Sequence, residues 1–126
     1  MVEQPSTALR TALADHEAWT GKDLDRAMSY IADDIVCDAP AGRIEGAEAY
    51  RRFMAPFVEI LLDAKVIAAF GDDRTAVVVY DTATIPVPSG PAAECVTVQD
   101  GRIAYSRFIF DRAPFQAARR QPPASA

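Results

Sequence analysis

The stretch from Asp23 to Phe53 constrains the fold of this chain more than any other. Its sequence, DLDRAMSYIADDIVCDAPAGRIEGAEAYRRF, predicts a helix, a direct passage into a strand, a turn and a second helix. The strand is marked by the β-prone run Ile35-Val36-Cys37. Everything after this stretch is expected to form a sheet that curls around the helices. The apolar positions at helical spacing in the first of these helices are Leu24, Ala27, Met28 and Ile31.

A Pro-Gly turn separates this strand from the following helix. Pro40 and Gly42 interrupt the apolar run, and Gly46 precedes a helix expected from Ala47 to about Leu62. Pro56 lies within that helix. Because proline removes a backbone hydrogen bond, we expect it to kink the helix or to end it early.

One helix precedes this stretch and several strands follow it. Ser6 or Thr7 caps a helix that runs to about Thr20, where Gly21 favours a left-handed stop. Helices first and an antiparallel meander afterwards are the signature of an α+β fold. The predicted strands are Ala64–Phe70, Thr75–Val87, Ala92–Gln99 and Arg102–Phe110, with turns at Val87–Pro91 and Asp100-Gly101.

The 126 residues are enough for one domain with a single core. Residues 1–5 are expected to be flexible, and residues 6–116 to form the domain. Residues 117–126 end in a run rich in small residues and proline, for which we expect disorder.

Charge and composition exclude several classes of function. The formal net charge of −5 and the lack of a basic stripe argue against nucleic-acid binding. No run approaches the roughly 20 apolar residues of a membrane span, and the N-terminus lacks the layout of a signal peptide. Cys37 and Cys95 have no CxxC or Cys-His spacing, so we expect reduced core thiols and no metal site. These observations predict a cytoplasmic protein.

Three motifs, KDLDRAMSYIADD, GRIEGAEAYRRF and DGRIAYSRFIFD, resemble the nuclear transport factor 2-like superfamily in its SnoaL-like and ketosteroid isomerase-like branch. The resemblance covers residues 8–116. It implies a cone-shaped α+β barrel, in which N-terminal helices pack in a strongly bent, mostly antiparallel sheet around an apolar pocket. It also implies a homodimer. The superfamily includes isomerases, dehydratases, hydrolases, polyketide cyclases and non-enzymes, so the fold alone implies no single reaction.

Two mechanisms of this superfamily are disfavoured by the residues present. Ketosteroid isomerase uses an Asp base with a Tyr and a protonated Asp as oxyanion donors. The resemblance puts Ala39 at the base position, Asp15 at about the tyrosine position and Glu94 at the protonated-acid position, so one group of three is kept. The limonene epoxide hydrolase triad is lost entirely, because its positions fall at Tyr80, Thr82 and Phe108.

Strand alternation orients the pocket once Glu94 is placed on the inner face. The residues expected to bind substrate then surround a mainly apolar and aromatic chamber, as in small-molecule sites. They are Trp19, Cys37, Ala39, Phe53, Met54, Phe57, Thr82, Thr84, Val96, Ser106, Phe108 and Phe110.

Glu94, His16 and Tyr80 are the candidate catalytic residues, and each has a structural alternative. Glu94 either has a structural role, paired with His16 or Arg107, or has a raised pKa and acts as an acid or base on a ligand. In a third alternative the strand register is shifted and Glu94 points to solvent. His16, the only histidine, is a core residue or a proton carrier with an ordinary pKa of about 6.5. Tyr80 is a wall residue or a proton donor.

The sequence therefore predicts a cofactor-independent enzyme that does acid–base chemistry of the isomerase, dehydratase, cyclase or hydrolase type on a small apolar molecule. The alternative is a non-catalytic small-molecule-binding or dimeric interaction module of the same fold. The two differ in whether His16 and Glu94 lie within hydrogen-bond reach of each other around open volume. No cofactor, nucleic acid or membrane partner is expected.

Overall fold

A computed structural model describes residues 7–120 of the chain. Within this range two helices come first, followed by two strands and a third helix. Four strands and a short helix complete the described part of the chain. No helix in this part of the chain is both long and apolar enough to cross a membrane. The helices are α1 (Thr7–Thr20), α2 (Leu24–Met28), α3 (Ala47–Ile60) and α4 (Ala113–Arg120), and the strands are β1 (Ile31–Ala39), β2 (Gly42–Glu45), β3 (Leu61–Gly71), β4 (Thr75–Thr84), β5 (Gly90–Gln99) and β6 (Arg102–Phe110).

The six strands form one sheet in the order β2-β1-β6-β5-β4-β3. All neighbouring pairs are antiparallel except β1 and β6, which run parallel. Register shifts interrupt the β1–β6, β3–β4 and β5–β6 pairings. Because bulges bend a strand and increase its twist, these shifts fit the strong curvature of the sheet. The sheet is curved and unclosed, and the predicted α+β cone with helices packed in a bent sheet is confirmed.

The concave side of the sheet holds α1, which contacts β3, β4, β5 and β6. Its inward face carries Ala8, Ala12, Asp15 and Trp19, spaced at i, i+4, i+7 and i+11, which is helical periodicity. The small alanines let the helix approach the sheet, and Trp19 fills the space between α1 and the strands. The core therefore lies between α1, α3 and the inner face of the sheet.

The chain between Met28 and Glu45 differs from the prediction. Ile31 begins β1 instead of ending α2, because it is buried and pairs with Ile103 of β6. The segment Gly42–Glu45, predicted only as a turn, forms the edge strand β2. Arg43 on this strand forms an ion pair with Asp38 of β1 at 2.8 Å, which links the edge strand to its neighbour.

Three further element boundaries differ from the prediction. Pro56 is accommodated within α3, which continues to Ile60, because Met54 and Val58 are buried on either side of it. β4 ends at Thr84, whose backbone and hydroxyl bond to Val87 and close a loop. α4 occupies residues 113–120, where no helix was predicted. Disorder was expected for residues 117–126, of which residues 117–120 belong to α4 and residues 121–126 lie outside the described residues. The predicted flexible residues 1–5 also lie outside them.

Candidate functional site

An apolar cavity of about 220 Å³ opens at the wide end of the cone, between α1, α3, α4 and the inner face of β4, β5 and β6. It is larger than the roughly 150 Å³ cavity that admits benzene in an engineered core. Aromatic side chains form most of the wall. The lining residues are Trp19, Phe53, Met54, Phe57, Tyr80, Thr82, Ser89, Gly90, Pro91, Ala92, Phe108, Phe110, Asp111, Pro114 and Phe115.

Strand register explains how three neighbouring strands supply this wall. Ala92 of β5 lies opposite Tyr80 of β4 on one side and Phe110 of β6 on the other. These three residues form one inward-facing row, and the small side chain of Ala92 leaves room between the two aromatic rings. The next inward row lies deeper in the cone, and it contains Val78, Glu94 and Phe108.

Glu94 lies in this deeper row and is only 3% exposed. The Ser106 hydroxyl donates a hydrogen bond of 2.7 Å to Glu94 Oε2. Burial disfavours the charged carboxylate and raises its pKa to about 7, although the Ser106 hydrogen bond acts in the opposite direction. Glu94 therefore exchanges its proton near neutral pH, as a general acid or base must.

Asp15 on α1 is a second buried acid, and it is 2% exposed. Burial, followed by the negative charge of Glu94, raises the pKa of Asp15 well above its ordinary value. Two carboxyls that interact in this way titrate as a pair, and burial favours the protonated form of both. We name Asp15 and Glu94 the buried acid pair.

The resemblance to ketosteroid isomerase placed Asp15 only at the position of an absent tyrosine and gave it no role. A usable signal was present in the periodicity, because an acidic residue falls on the apolar stripe that also carries Ala8, Ala12 and Trp19. A carboxyl on such a stripe must be protonated, paired or functional.

Tyr80 lines the cavity and lies beside the buried acid pair. Burial and the negative charges of Glu94 and Asp15 raise the pKa of Tyr80 well above its ordinary value. Its hydroxyl therefore stays protonated and can donate a hydrogen bond. The ring also contacts His16, with the two ring centroids 4.6 Å apart.

His16 is buried and does not line the cavity. Burial lowers its pKa to about 4, so the imidazole is neutral at pH 7. No hydrogen bond joins it to Glu94 within residues 7–120, and its Nδ1 is buried without a partner there. Packing of His16 against Tyr80 and Trp19, with ring centroids 4.6 and 5.0 Å apart, indicates that it positions these two rings.

The structure brings together eight of the predicted site residues and separates the others from the cavity. Cys37, Val96 and Ser106 pair across β1, β6 and β5 in the packed narrow end of the cone. Burial, the first of several causes, raises the pKa of the Cys37 thiol to about 12, so it stays protonated. The eight residues that line the cavity are Trp19, Phe53, Met54, Phe57, Tyr80, Thr82, Phe108 and Phe110.

Two other predicted binding residues also lie away from the cavity. Thr84 is buried at the end of β4, where its hydroxyl donates to the carbonyl of Val87 at 3.2 Å. Ala39 is half-buried at the end of β1, opposite Gly42 of β2. Alternation assigns a residue to a face of the sheet, but it does not say how far from the open end of the cone the residue lies.

Part of the cavity wall was not predicted at all. Pro114 and Phe115 belong to α4, a helix that was not predicted from the sequence. The Phe115 ring lies 6.3 Å from that of Phe57 and 6.0 Å from that of Phe110, measured between centroids. This aromatic contact holds α4 across the wide end of the cone. Within residues 7–120, no three His, Cys, Asp or Glu side chains converge as metal ligands.

Known proteins match the chain at two levels. A crystal structure of a protein from Kribbella flavida DSM 17836 is 60% identical, with a TM-score of 0.88 over 90% of this chain and 93% of that one. An NTF2-like protein of unknown function from Cytophaga hutchinsonii ATCC 33406 shares the fold at 20% identity and a TM-score of 0.75, over 92% and 99% of the two chains. A steroid delta-isomerase from Pseudomonas aeruginosa does so at 16% identity and 0.75, over 94% and 90%.

No curated protein sequence matches the chain. The model of the SnoaL-like domain matches residues 12–106, which include α3, most of α1, the buried acid pair and most of the sheet. The match spans well over half of the 126 residues. The chain therefore belongs to the SnoaL-like domain family.

Proposed function

We propose that this protein is a cofactor-independent enzyme that does acid–base chemistry on a small, largely apolar molecule held in the aromatic cavity. One observation carries the proposal: Tyr80 lines the cavity and lies in the field of the buried acid pair, Asp15 and Glu94. A hydrogen-bond donor at the inner end of an apolar cavity suits a substrate with a carbonyl or hydroxyl oxygen.

The physical cost of the buried acid pair supports a functional role for it. No ion pair joins Asp15 or Glu94 to a Lys or Arg in the described part of the chain. Burying a carboxyl without a cation is unfavourable, so a purely structural site would favour an apolar side chain there. Perturbed acids beside a cavity are more typical of functional sites.

The proposed roles follow from the protonation states. Tyr80 donates a hydrogen bond to the substrate oxygen and stabilises negative charge that develops on it in the transition state. Glu94, with its pKa of about 7, lies one inward row deeper than Tyr80 and is the group proposed to supply or accept the proton at neutral pH. Trp19 Nε1 is buried without a hydrogen-bond partner within residues 7–120, and a ligand oxygen would give it one.

The test measures proton transfer on a model ketone, so it does not require the natural substrate. The probe is 2-indanone, a compact apolar ketone, and NMR in D₂O follows deuterium incorporation next to its carbonyl. We expect the wild-type protein to accelerate exchange and Tyr80→Phe to reduce that acceleration by about 10²-fold or more, as for loss of an oxyanion donor. Tyr105→Phe is the matched control, because Tyr105 bonds to Asp38, away from the cavity.

A second candidate function is ligand binding without chemistry. It is favoured by the finding that neither His16 nor Glu94 lines the cavity and that no hydrogen bond joins them within the described residues. In that case 2-indanone binds, as read from the fluorescence of Trp19, the single tryptophan, but its exchange stays at the rate of the free ketone. That result would reject the enzyme and retain the binding site.

Self-association is also proposed, through the convex face of the sheet. Apolar side chains are exposed there, with Phe70 at 71% and Ile109 at 54% exposure. Between their strands, the outward positions Val77, Val79 and Cys95 continue the same surface. We expect a dimer by sedimentation, and Phe70→Glu should shift it to monomer.

We also propose that the protein acts in the cytoplasm. Cys37 and Cys95 are both free thiols, as expected where thiols are kept reduced. Fractionation of the producing cells tests this placement.

A further inference from the structure

The mouth of the cavity carries one charged side chain within residues 7–120. Asp111 is the only Asp, Glu, Lys or Arg among the described lining residues, and the rest of the wall is aliphatic, aromatic or hydroxyl-bearing. The charge that a ligand meets on entry is therefore set by one carboxylate.

The carboxylate of Asp111 is held in place and only partly used. Asp111 follows β6 directly, and its Oδ1 accepts a hydrogen bond of 2.9 Å from the backbone N–H of Ala113, the first residue of α4. Its other oxygen has no hydrogen bond in the described part of the chain. Arg112 beside it is exposed and forms no ion pair with it there. One oxygen thus remains available to a ligand.

Three aromatic rings line the same part of the cavity wall as Asp111. Phe110 is its chain neighbour, and Phe115 lies 6.0 Å from Phe110 and 6.3 Å from Phe57, between ring centroids. The faces of aromatic rings attract cations, and ammonium groups are commonly bound among several such rings. Aromatic rings combined with one carboxylate form the chemistry that recognises a protonated amine.

The inner end of the cavity has hydrogen-bond donors but no cationic side chain among the described lining residues. His16 is neutral at pH 7 because burial lowers its pKa to about 4. The other titratable groups behind the wall, Asp15 and Glu94, are acids. A carboxylate ligand would therefore lose its hydration without gaining a cationic partner among the described residues.

We infer that the cavity selects an apolar amine, whose hydrocarbon body fills the aromatic chamber while its ammonium group lies at the mouth against Asp111 and the rings of Phe57, Phe110 and Phe115. This inference rests on the proposed use of the cavity as a small-molecule site. It adds a requirement to the substrate, namely an oxygen at the inner end near Tyr80 and an amine at the outer end.

The test compares three probes of nearly equal shape and different charge: 2-phenylethylamine, 2-phenylethanol and phenylacetate at pH 7. Binding is read from the fluorescence of Trp19, which lines the cavity. We expect the amine to bind about fivefold more tightly than the alcohol, since exposed ion pairs and cation–π contacts each contribute modestly. Phenylacetate should bind most weakly, and added salt should narrow the difference between amine and alcohol.

The decisive variant is Asp111→Asn, whose side-chain oxygen can still accept the hydrogen bond from Ala113. It should bind the amine and the alcohol equally and leave alcohol binding unchanged. The matched control is Asp33→Asn on β1, an exposed residue far along the chain from the mouth. An amine preference that survives Asp111→Asn, or phenylacetate binding as tightly as the amine, overturns the inference while the cavity remains a binding site. If none of the three probes binds to the wild-type protein, both the inference and the proposed function fail.

Discussion

At the closed end of the cone, Asp15 and Glu94 are 2% and 3% exposed and lie among tightly packed side chains. At the mouth, Asp111 is exposed and lies beside aromatic rings that α4 brings together. Carboxyl groups are therefore surrounded by protein at the closed end and are in contact with water at the mouth. Burial at the closed end favours the protonated form of the two carboxyls, whereas the side chain of Asp111 at the mouth is in contact with water. We therefore expect changes at the closed end to alter stability and proton transfer, and changes at the mouth to alter binding.

The largest difference between the ends should appear in packing. Ile35 of β1 is fully buried at 0% exposure. Ile35→Ala should lower the free energy of unfolding by about 2–5 kcal/mol, because it leaves a cavity in a packed core. Ile85→Ala is the matched control at a residue 71% exposed, with an expected change within about 0.5 kcal/mol. Urea denaturation measures both. Similar losses in the two variants would show that the narrow end is not tightly packed.

The second difference concerns the pH dependence of stability and tests the raised pKa of Glu94. Its pKa is about 7 in the folded protein against an ordinary 4.5, so the folded state holds the proton more tightly. The stability it contributes is complete below pH 4.5 and is lost as the pH rises to about 7. Relative to wild type, Glu94→Gln should gain roughly 3 kcal/mol across that interval from the loss of Glu94 itself. Removal of its charge should also make the pKa of Asp15 less raised, which adds to the gain.

The stability of Glu94→Gln must be compared with that of wild type at each pH, because the titration of His16 changes stability in the opposite direction to that of Glu94. Its pKa falls from 6.5 to about 4 on folding, so its contribution to stability grows as the pH rises through that range. This contribution is present in both proteins and drops out of their difference. Glu45→Gln, at an exposed residue of β2, is the matched control. A pH-independent difference between Glu94→Gln and wild type would contradict the raised pKa.

The smallest effect on stability is expected at the mouth. Phe115 is half-buried and holds α4 against Phe57 and Phe110. Phe115→Ala should lower the free energy of unfolding by about 1 kcal/mol, since few other contacts depend on it. It should nevertheless weaken binding of 2-phenylethanol several-fold, because the cavity loses part of its outer wall. Unchanged affinity in this variant would mean that α4 takes no part in the site.

Period-two alternation predicted which face of β4 looks inward. Tyr80 and Thr82 line the cavity because they share a face with Val78 and Ala76, which are buried. The same rule grouped Val96 with them, although Val96 lies in the closed end of the cone. Periodicity describes the direction of a side chain, whereas distance from the mouth depends on where the curved sheet closes over the helices.

The acids of the closed end were only half predicted. Glu94 stood out because it interrupts a buried strand, while Asp15 lies in a helix with other charged residues nearby in sequence. Asp15 and Glu94 are far apart in the chain, so no local sequence pattern could predict their interaction. Local patterns also failed to predict α4, because the contacts of Phe115 with Phe57 and Phe110 come from α3 and β6, which are separate elements of the chain.

Local patterns in the sequence were enough to determine the α+β class, the order of helices and strands, the inward faces of the strands and the aromatic character of the pocket. These follow from periodicity and turn chemistry, which act over a few residues. The folded arrangement was needed to decide how deep each inward side chain lies, which acids interact, and that His16 is neutral at pH 7. Those properties depend on burial and on charges brought together from distant elements, because both the pKa of a group and its access to a ligand are set by everything that surrounds it in space.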